Sequence, residues 1–122
     1  MNEHKRFDKR KALNWLDGDE RMFASLKAIF MKNIPSQVEQ LKTFLDMADS
    51  SSAERAAHTI MGSSAMMGAT VMSDEARKIE LSAIESDIDS ARFHFMSFIE
   101  EFEKVMAELV VDGGNDEHSG CR

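Results

Sequence analysis

The sequence predicts an all-α fold: an antiparallel up-and-down four-helix bundle with a short N-terminal helix. Three observations predict it. Apolar residues recur at helical spacing through most of the 122 residues. No stretch alternates with period two for long enough to make a strand. Short polar breaks divide the periodic stretches into pieces of helix length. Amphipathic helices joined by short loops bury their stripes most simply against one another.

Each element has its own signals. Asp8 caps a first short helix carrying Ala12, Leu13 and Leu16, which stops near Gly18. Asp19 opens a long helical stretch whose apolar side runs from Met22 and Phe23 through Ile29 and Phe30 to Leu41 and Leu45. Pro35 lies inside it, where it removes one backbone hydrogen bond and clashes with the preceding turn. A kink, or a break into two helices, is expected near Asn33 to Pro35. The run Asp49-Ser50-Ser51-Ser52 supplies a loop and an N-cap for the next helix, which ends at Gly68. Thr70 is expected to cap the following one, with Met72, Ala76, Ile79 and Ala83 along its stripe. Ser86-Asp87 closes that segment, and the last helix carries Ile88, Ala91, Phe95, Phe98, Phe102 and Leu109. Residues 1–111 thus form one bundle domain, and 112–122 a polar tail expected to be disordered.

Composition excludes several function classes. A net charge of −7 argues against nucleic-acid binding, which needs a basic face for phosphates. The concentrated positive charge at Lys5, Arg6, Lys9, Arg10 and Lys11 is offset by Glu3 and Asp8 and reads as a solvated helix face. No apolar run approaches a membrane span, and the polar start is not a signal peptide. Cys121 is the single cysteine, which fits a reducing compartment, and the chain is expected to be cytoplasmic. Met1 and the polar end are those expected of a free-standing protein rather than a piece of a larger one. A di-iron bundle needs Glu-x-x-His pairs on two helices, whereas Glu54 stands four residues before His58 and no second pair exists. No metal site is expected, and hydrolase motifs and glycine-rich phosphate loops are absent from the sequence.

The most informative segment is Ala57 to Ala69. In a helix at about 100° per residue, His58, Gly62 and Ala65 share one face, and Ala53, Ala57, Ile60, Ser64 and Met67 the opposite one. The histidine therefore points away from the apolar stripe with the smallest residues beside it. A glycine inside an exposed helix costs roughly 0.5–1 kcal/mol against alanine, so its position one turn after a histidine asks for a reason. Close approach of another protein's backbone to the imidazole is the simplest. His4 and His118 lie near the chain ends, and His94, between Phe93 and Phe95, falls at the edge of the core stripe.

The segment resembles the signature of histidine-containing phosphotransfer (HPt) domains, His-x-(Leu/Ile)-Lys-Gly-(Ser/Ala)-(Ser/Ala) followed by a Gly-Ala pair. The matching residues are His58, Ile60, Gly62, Ser63, Ser64, Gly68 and Ala69. Leu13 to Glu20, the Met47-Ala-Asp-Ser loop and Arg77 to Glu80 are similar to further parts of such domains. The resemblance implies a four-helix bundle that serves as a phosphorelay intermediate without autonomous catalysis. His58 would accept a phosphoryl group through Nε2 from the aspartate of a receiver domain and pass it to another receiver. The chemistry suits an imidazole, which when neutral keeps one ring nitrogen free as a nucleophile. Phosphoryl transfer needs mainly in-line positioning and charge neutralisation, and the receiver would supply the Mg²⁺. The chain itself would need no cofactor and would act as a monomer.

The resemblance also assigns the neighbours. Gly62 would give the receiver's loops room, and Ser63 would support the site. Glu80 stands where the family often hydrogen-bonds the other ring nitrogen; a solvated helix carboxylate is the equally weighted alternative. Met61 is a departure, because most members carry a lysine there, so a cation that would attract phosphate is missing. Arg55, Arg77 and Lys78 are candidates to compensate. Met61 and Met66, with Ala65 and Arg55, would form a docking surface, although ordinary rim packing also accounts for Met61. The second functional reading is an adaptor that binds a receiver without relaying phosphate.

Overall fold

The computed structural model describes residues 6–120, with side chains described as far as Val111. Five helices follow one another: α1 Lys9–Trp15, α2 Glu20–Asp46, α3 Ser50–Met66, α4 Thr70–Ile84 and α5 Ile88–Gly120. Among the described residues there is no strand. Contacts join α2 to α3, α3 to α4, α4 to α5 and α5 back to α2, so these four close a ring; α1 touches α2 and α3. The core fills the ring with Phe30, Ile34 and Leu41 of α2, Ala53, Ala57 and Ile60 of α3, Met72, Ala76 and Ile79 of α4, and Phe98, Val105 and Leu109 of α5. None of the described helices is long and apolar enough to cross a membrane.

Aspartates start most of the helices. The Asp8, Asp19 and Asp49 carboxylates accept from the amides of Arg10, Met22 and Ser52. Asp87 accepts from the Ser90 amide at 3.1 Å and the Ser90 hydroxyl at 2.8 Å. Each such cap satisfies a first-turn amide that has no partner within its own helix. The expected cap at Thr70 is not formed: Ala69 holds the cap position without a side-chain hydrogen bond, and Thr70 is already the first helical residue. The turn before α4 is too short to leave Thr70 outside the helix. Its hydroxyl accepts from Lys11 Nζ at 3.0 Å instead.

Pro35 does not break α2, which runs from Glu20 to Asp46 with the proline inside it. A proline in a helix interior costs about 3 kcal/mol, whereas burying one large apolar side chain contributes about 1.5–3 kcal/mol. Phe23 and Phe30 before the proline and Ile34, Val38, Leu41 and Leu45 from that turn onward are all buried. Their shared burial outweighs one lost hydrogen bond. Met22 and Ile29 do not belong to this stripe, being 47% and 53% exposed. Each precedes a buried phenylalanine by one residue and so sits about 100° away from it. The backbone of α5 continues to Gly120, into the segment 112–122 expected to be unstructured; the side chains of that segment, like His4 and Cys121, lie outside the described residues.

The connections 47–49, 67–69 and 85–87 share one geometry, with a left-handed residue in the middle: Ala48 at φ 57°, Gly68 at φ 77° and Ser86 at φ 58°. Only at Gly68 is the side chain itself excluded. Its carbonyl accepts from the Asp8 amide at 2.8 Å, and a Cβ there would run into the Asp8 carbonyl. The N-terminal segment is thereby fastened to the α3–α4 turn. At the other end, the Arg92 guanidinium donates through Nε and Nη2 to the Leu45 carbonyl at 3.1 and 2.8 Å, satisfying the end of α2 from α5.

Two stability tests follow from these termini. Gly68→Ala is expected to cost roughly 1–3 kcal/mol, while Ala48→Gly, at the same φ without the clash, stays within about 0.5 kcal/mol of wild type; chemical denaturation measures both. Asp49 is held below the ordinary carboxylate value by the Ser52 hydroxyl and amide, and Asp87 by the Ser90 amide and hydroxyl. A carboxylate lowered in the folded state adds stability above its unfolded value, near 3.9, and loses it as pH falls through the folded value. Asp49→Asn and Asp87→Asn should therefore lower stability at neutral pH and flatten its decline in acid, as thermal midpoints against pH will read.

Candidate functional site

His58 stands midway along α3, and Glu80 faces it from α4. The residues between the two helices explain the approach. Ala53 and Ala57 of α3 and Ala76 of α4 are fully buried and small, so the helix axes can come close. The Ser73 hydroxyl donates to the Met61 carbonyl at 3.0 Å, a second tie between the helices. In that register His58 Nδ1 lies 2.9 Å from Glu80 Oε2. The side chains differ in exposure, 64% for His58 and 12% for Glu80. The carboxylate is a shielded, fixed group and the imidazole projects outward from it.

The arrangement has a definite chemical consequence. An ionised carboxylate can only accept, so Nδ1 must carry the proton. In the neutral ring Nε2 is then the unprotonated nitrogen, with its lone pair directed away from Glu80. Carboxylate partners orient and polarise metal-bound histidines in the same way. Among the described residues no group of three or more His, Cys, Asp and Glu could hold a metal ion.

Gly62, one turn along from His58, is exposed, and a Cβ built there would meet nothing within 4 Å. The chain's own packing therefore does not require a glycine at this position. Ala65, the next residue on that face, is exposed too. Ser63 faces elsewhere: it lines a groove of about 130 Å³ between α2 and α3, together with Ile29, Phe30, Gln37 and Met66. Its support of the histidine is not through contact, since it sits about 140° round the helix from His58. Ser64 is fully buried and donates to the Ile60 carbonyl at 2.7 Å. Met66 is 50% exposed at the groove, whereas Met61 is half-buried and packs on the core.

The cations divide three ways. Arg55 Nη1 lies 3.3 Å from Ser51 Oγ, toward the start of α3. Lys78 Nζ lies 3.3 Å from Glu75 and sits about 200° round α4 from Glu80, turned away from His58. Arg77 is exposed and has no hydrogen bond or ion pair among the described residues. His94 is half-buried on α5 and meets the Phe93 ring edge-on at 5.6 Å. Sequence patterns did not point to the Ser73–Met61 tie or to the groove, because both depend on how α3 lies against its neighbours. The run of alanines on the buried faces of α3 and α4 is the one signal for close approach.

No curated protein matches the chain. Among solved structures it is similar to histidine-containing phosphotransfer protein B (HptB) from Pseudomonas aeruginosa PAO1, with a TM-score of 0.81 and 20% identity over 89% of this chain and 95% of that one. At that identity the likeness shows a shared fold. A family model described as the Hpt domain matches residues 25–111, from the second turn of α2 into the last third of α5. With α3 and its histidine inside the matched region, the chain belongs to the Hpt domain family.

Proposed function

We propose that this chain is a phosphorelay intermediate that accepts a phosphoryl group on His58 Nε2 from a receiver-domain aspartate and passes it to another receiver. The observation that supports it most is the 2.9 Å pair between His58 Nδ1 and Glu80. The Nε2 lone pair attacks phosphorus in line as the acyl-phosphate P–O bond breaks, and the aspartate leaves as carboxylate. Nε2 has no proton to lose, and the Nδ1 proton stays on the bond to Glu80. The reverse step returns the phosphoryl group to a second aspartate. Glu80 is a positioning residue. Mg²⁺ at the receiver's acidic site supplies charge neutralisation on the donor side.

Docking follows from the same face. Open space at Gly62 lets a receiver backbone approach the imidazole. Met66 and Ala65 offer exposed apolar surface beside it, with the outer edge of Met61 and the Arg55 guanidinium at the rim. The ring of four consecutive helices with three short turns reads as an antiparallel up-and-down bundle. As a relay component it works in the cytoplasm, as a monomer whose His58 face stays free. An adaptor that holds a receiver without relaying phosphate would account for Gly62 and Met66, but would have no use for a carboxylate that fixes the imidazole tautomer.

Incubation with a phosphorylated receiver should label the chain in an acid-labile form, and His58→Gln should remove the label. Label retained in His58→Gln, or receiver binding without label in the wild type, contradicts the relay. Gly62→Arg is expected to weaken receiver binding at least tenfold with the helical spectrum unchanged, read by titration calorimetry. In Glu80→Ala, ¹⁵N shifts of the His58 ring should move toward the Nε2–H tautomer, with transfer slowed roughly tenfold.

A further inference from the structure

We infer that Arg77 supplies the positive charge that receives and holds a phosphoryl group on His58; this rests on the relay reading above. The need for a cation comes from the local charges. A phosphoryl group brings close to two negative charges at pH 7, and Glu80 is already 2.9 Å from the other ring nitrogen. Glu54, one turn before His58, is half-buried on the same helix. The positions one and two turns after the histidine are Met61, Gly62 and Ala65, none of which carries charge.

Register then selects the cation. His58–Glu80 and Met61–Ser73 are two fixed points between the helices. Arg77 lies between Ser73 and Glu80 on α4, so it is level with the segment of α3 from His58 to Met61. It precedes Glu80 by three residues, about 60° round the helix on its solvent side. Arg55 leans toward Ser51, and Lys78 is turned away toward Glu75. Arg77 alone of the three makes no hydrogen bond or ion pair among the described residues. A guanidinium also matches two phosphate oxygens at once, which an ammonium cannot.

The test uses the full chain and phosphoramidate as the donor, which removes any dependence on a receiver. Nε2 attacks phosphorus, the donor's P–N bond breaks, and ammonia leaves with its electron pair. Loading and decay of the phosphohistidine are followed by ³¹P NMR. Arg77→Gln should load about fivefold more slowly, or lose phosphate about fivefold faster, with the gap narrowing at high salt. Arg77→Lys should recover part of the difference, and Lys78→Gln should behave as wild type. The Arg77 Nε–H resonance should move on phosphorylation in the wild type and not in His58→Gln treated alike. Wild-type loading and lifetime in Arg77→Gln, or an unmoved Arg77 resonance in phosphorylated wild type, overturns the inference while leaving the relay reading intact. A wild-type chain that takes no phosphate on His58 overturns both.

Discussion

The α3–α4 turn admits one residue at its centre. Gly68 adopts a left-handed conformation at φ 77°, is buried, and lies where any Cβ would strike the Asp8 carbonyl. Two things follow from that contact. The N-terminal segment is pinned by the Asp8–Gly68 hydrogen bond, so α1 is held against the end of the bundle. The tight turn also sets where α4 begins relative to α3, and therefore which residues of the two helices come level. Small buried residues, Ala53, Ala57 and Ala76, then allow the close packing that the turn begins. The pairing of His58 with Glu80 is a consequence of that register, twelve residues or so from the turn on the α4 side.

The chemistry depends on an asymmetry within that pair. Glu80 is shielded between helices and His58 is open to solvent, so the carboxylate fixes the ring without competing for an incoming group. A fixed tautomer matters because a nucleophile that must first lose or move a proton adds a step to the transfer. Glycine at position 62 has a measurable cost in helix stability and no internal packing reason. In the proposed relay, stability is given up on the face that a receiver approaches. The family match spans α3 and α4, which hold this pair, whereas the 20% identity with the Pseudomonas aeruginosa protein speaks to the fold alone.

Helix number, order and most boundaries could be read from the chain, because aspartate caps and apolar spacing are local signals. Asp8 and Asp19 start their helices where they were expected to, and the polar run from Asp49 to Ser52 supplies its cap through Asp49. Tertiary packing overrides a local rule in two places. Of the kink or break expected near Pro35, the break does not occur, because the buried stripe on both sides carries α2 through it. Thr70 has the right chemistry for a cap, yet the turn geometry at Gly68 places it inside α4. At the site, His58 and Gly62 were readable from helical phase alone. The distance from His58 to Glu80 and the groove that Ser63 lines between α2 and α3 require the packing of α3 on its neighbours. No spacing within a single helix encodes them.

In the proposed relay, the role of Glu80 is to reserve Nε2 of His58 for phosphorus. It is tested most directly by the position of the phosphoryl group on the imidazole, read from ¹⁵N–³¹P coupling in the phosphorylated, ring-labelled protein. Coupling to Nε2 is expected, with the Nδ1 proton still present and bonded to Glu80. Coupling to Nδ1, or phosphate carried by any residue other than His58, would contradict it.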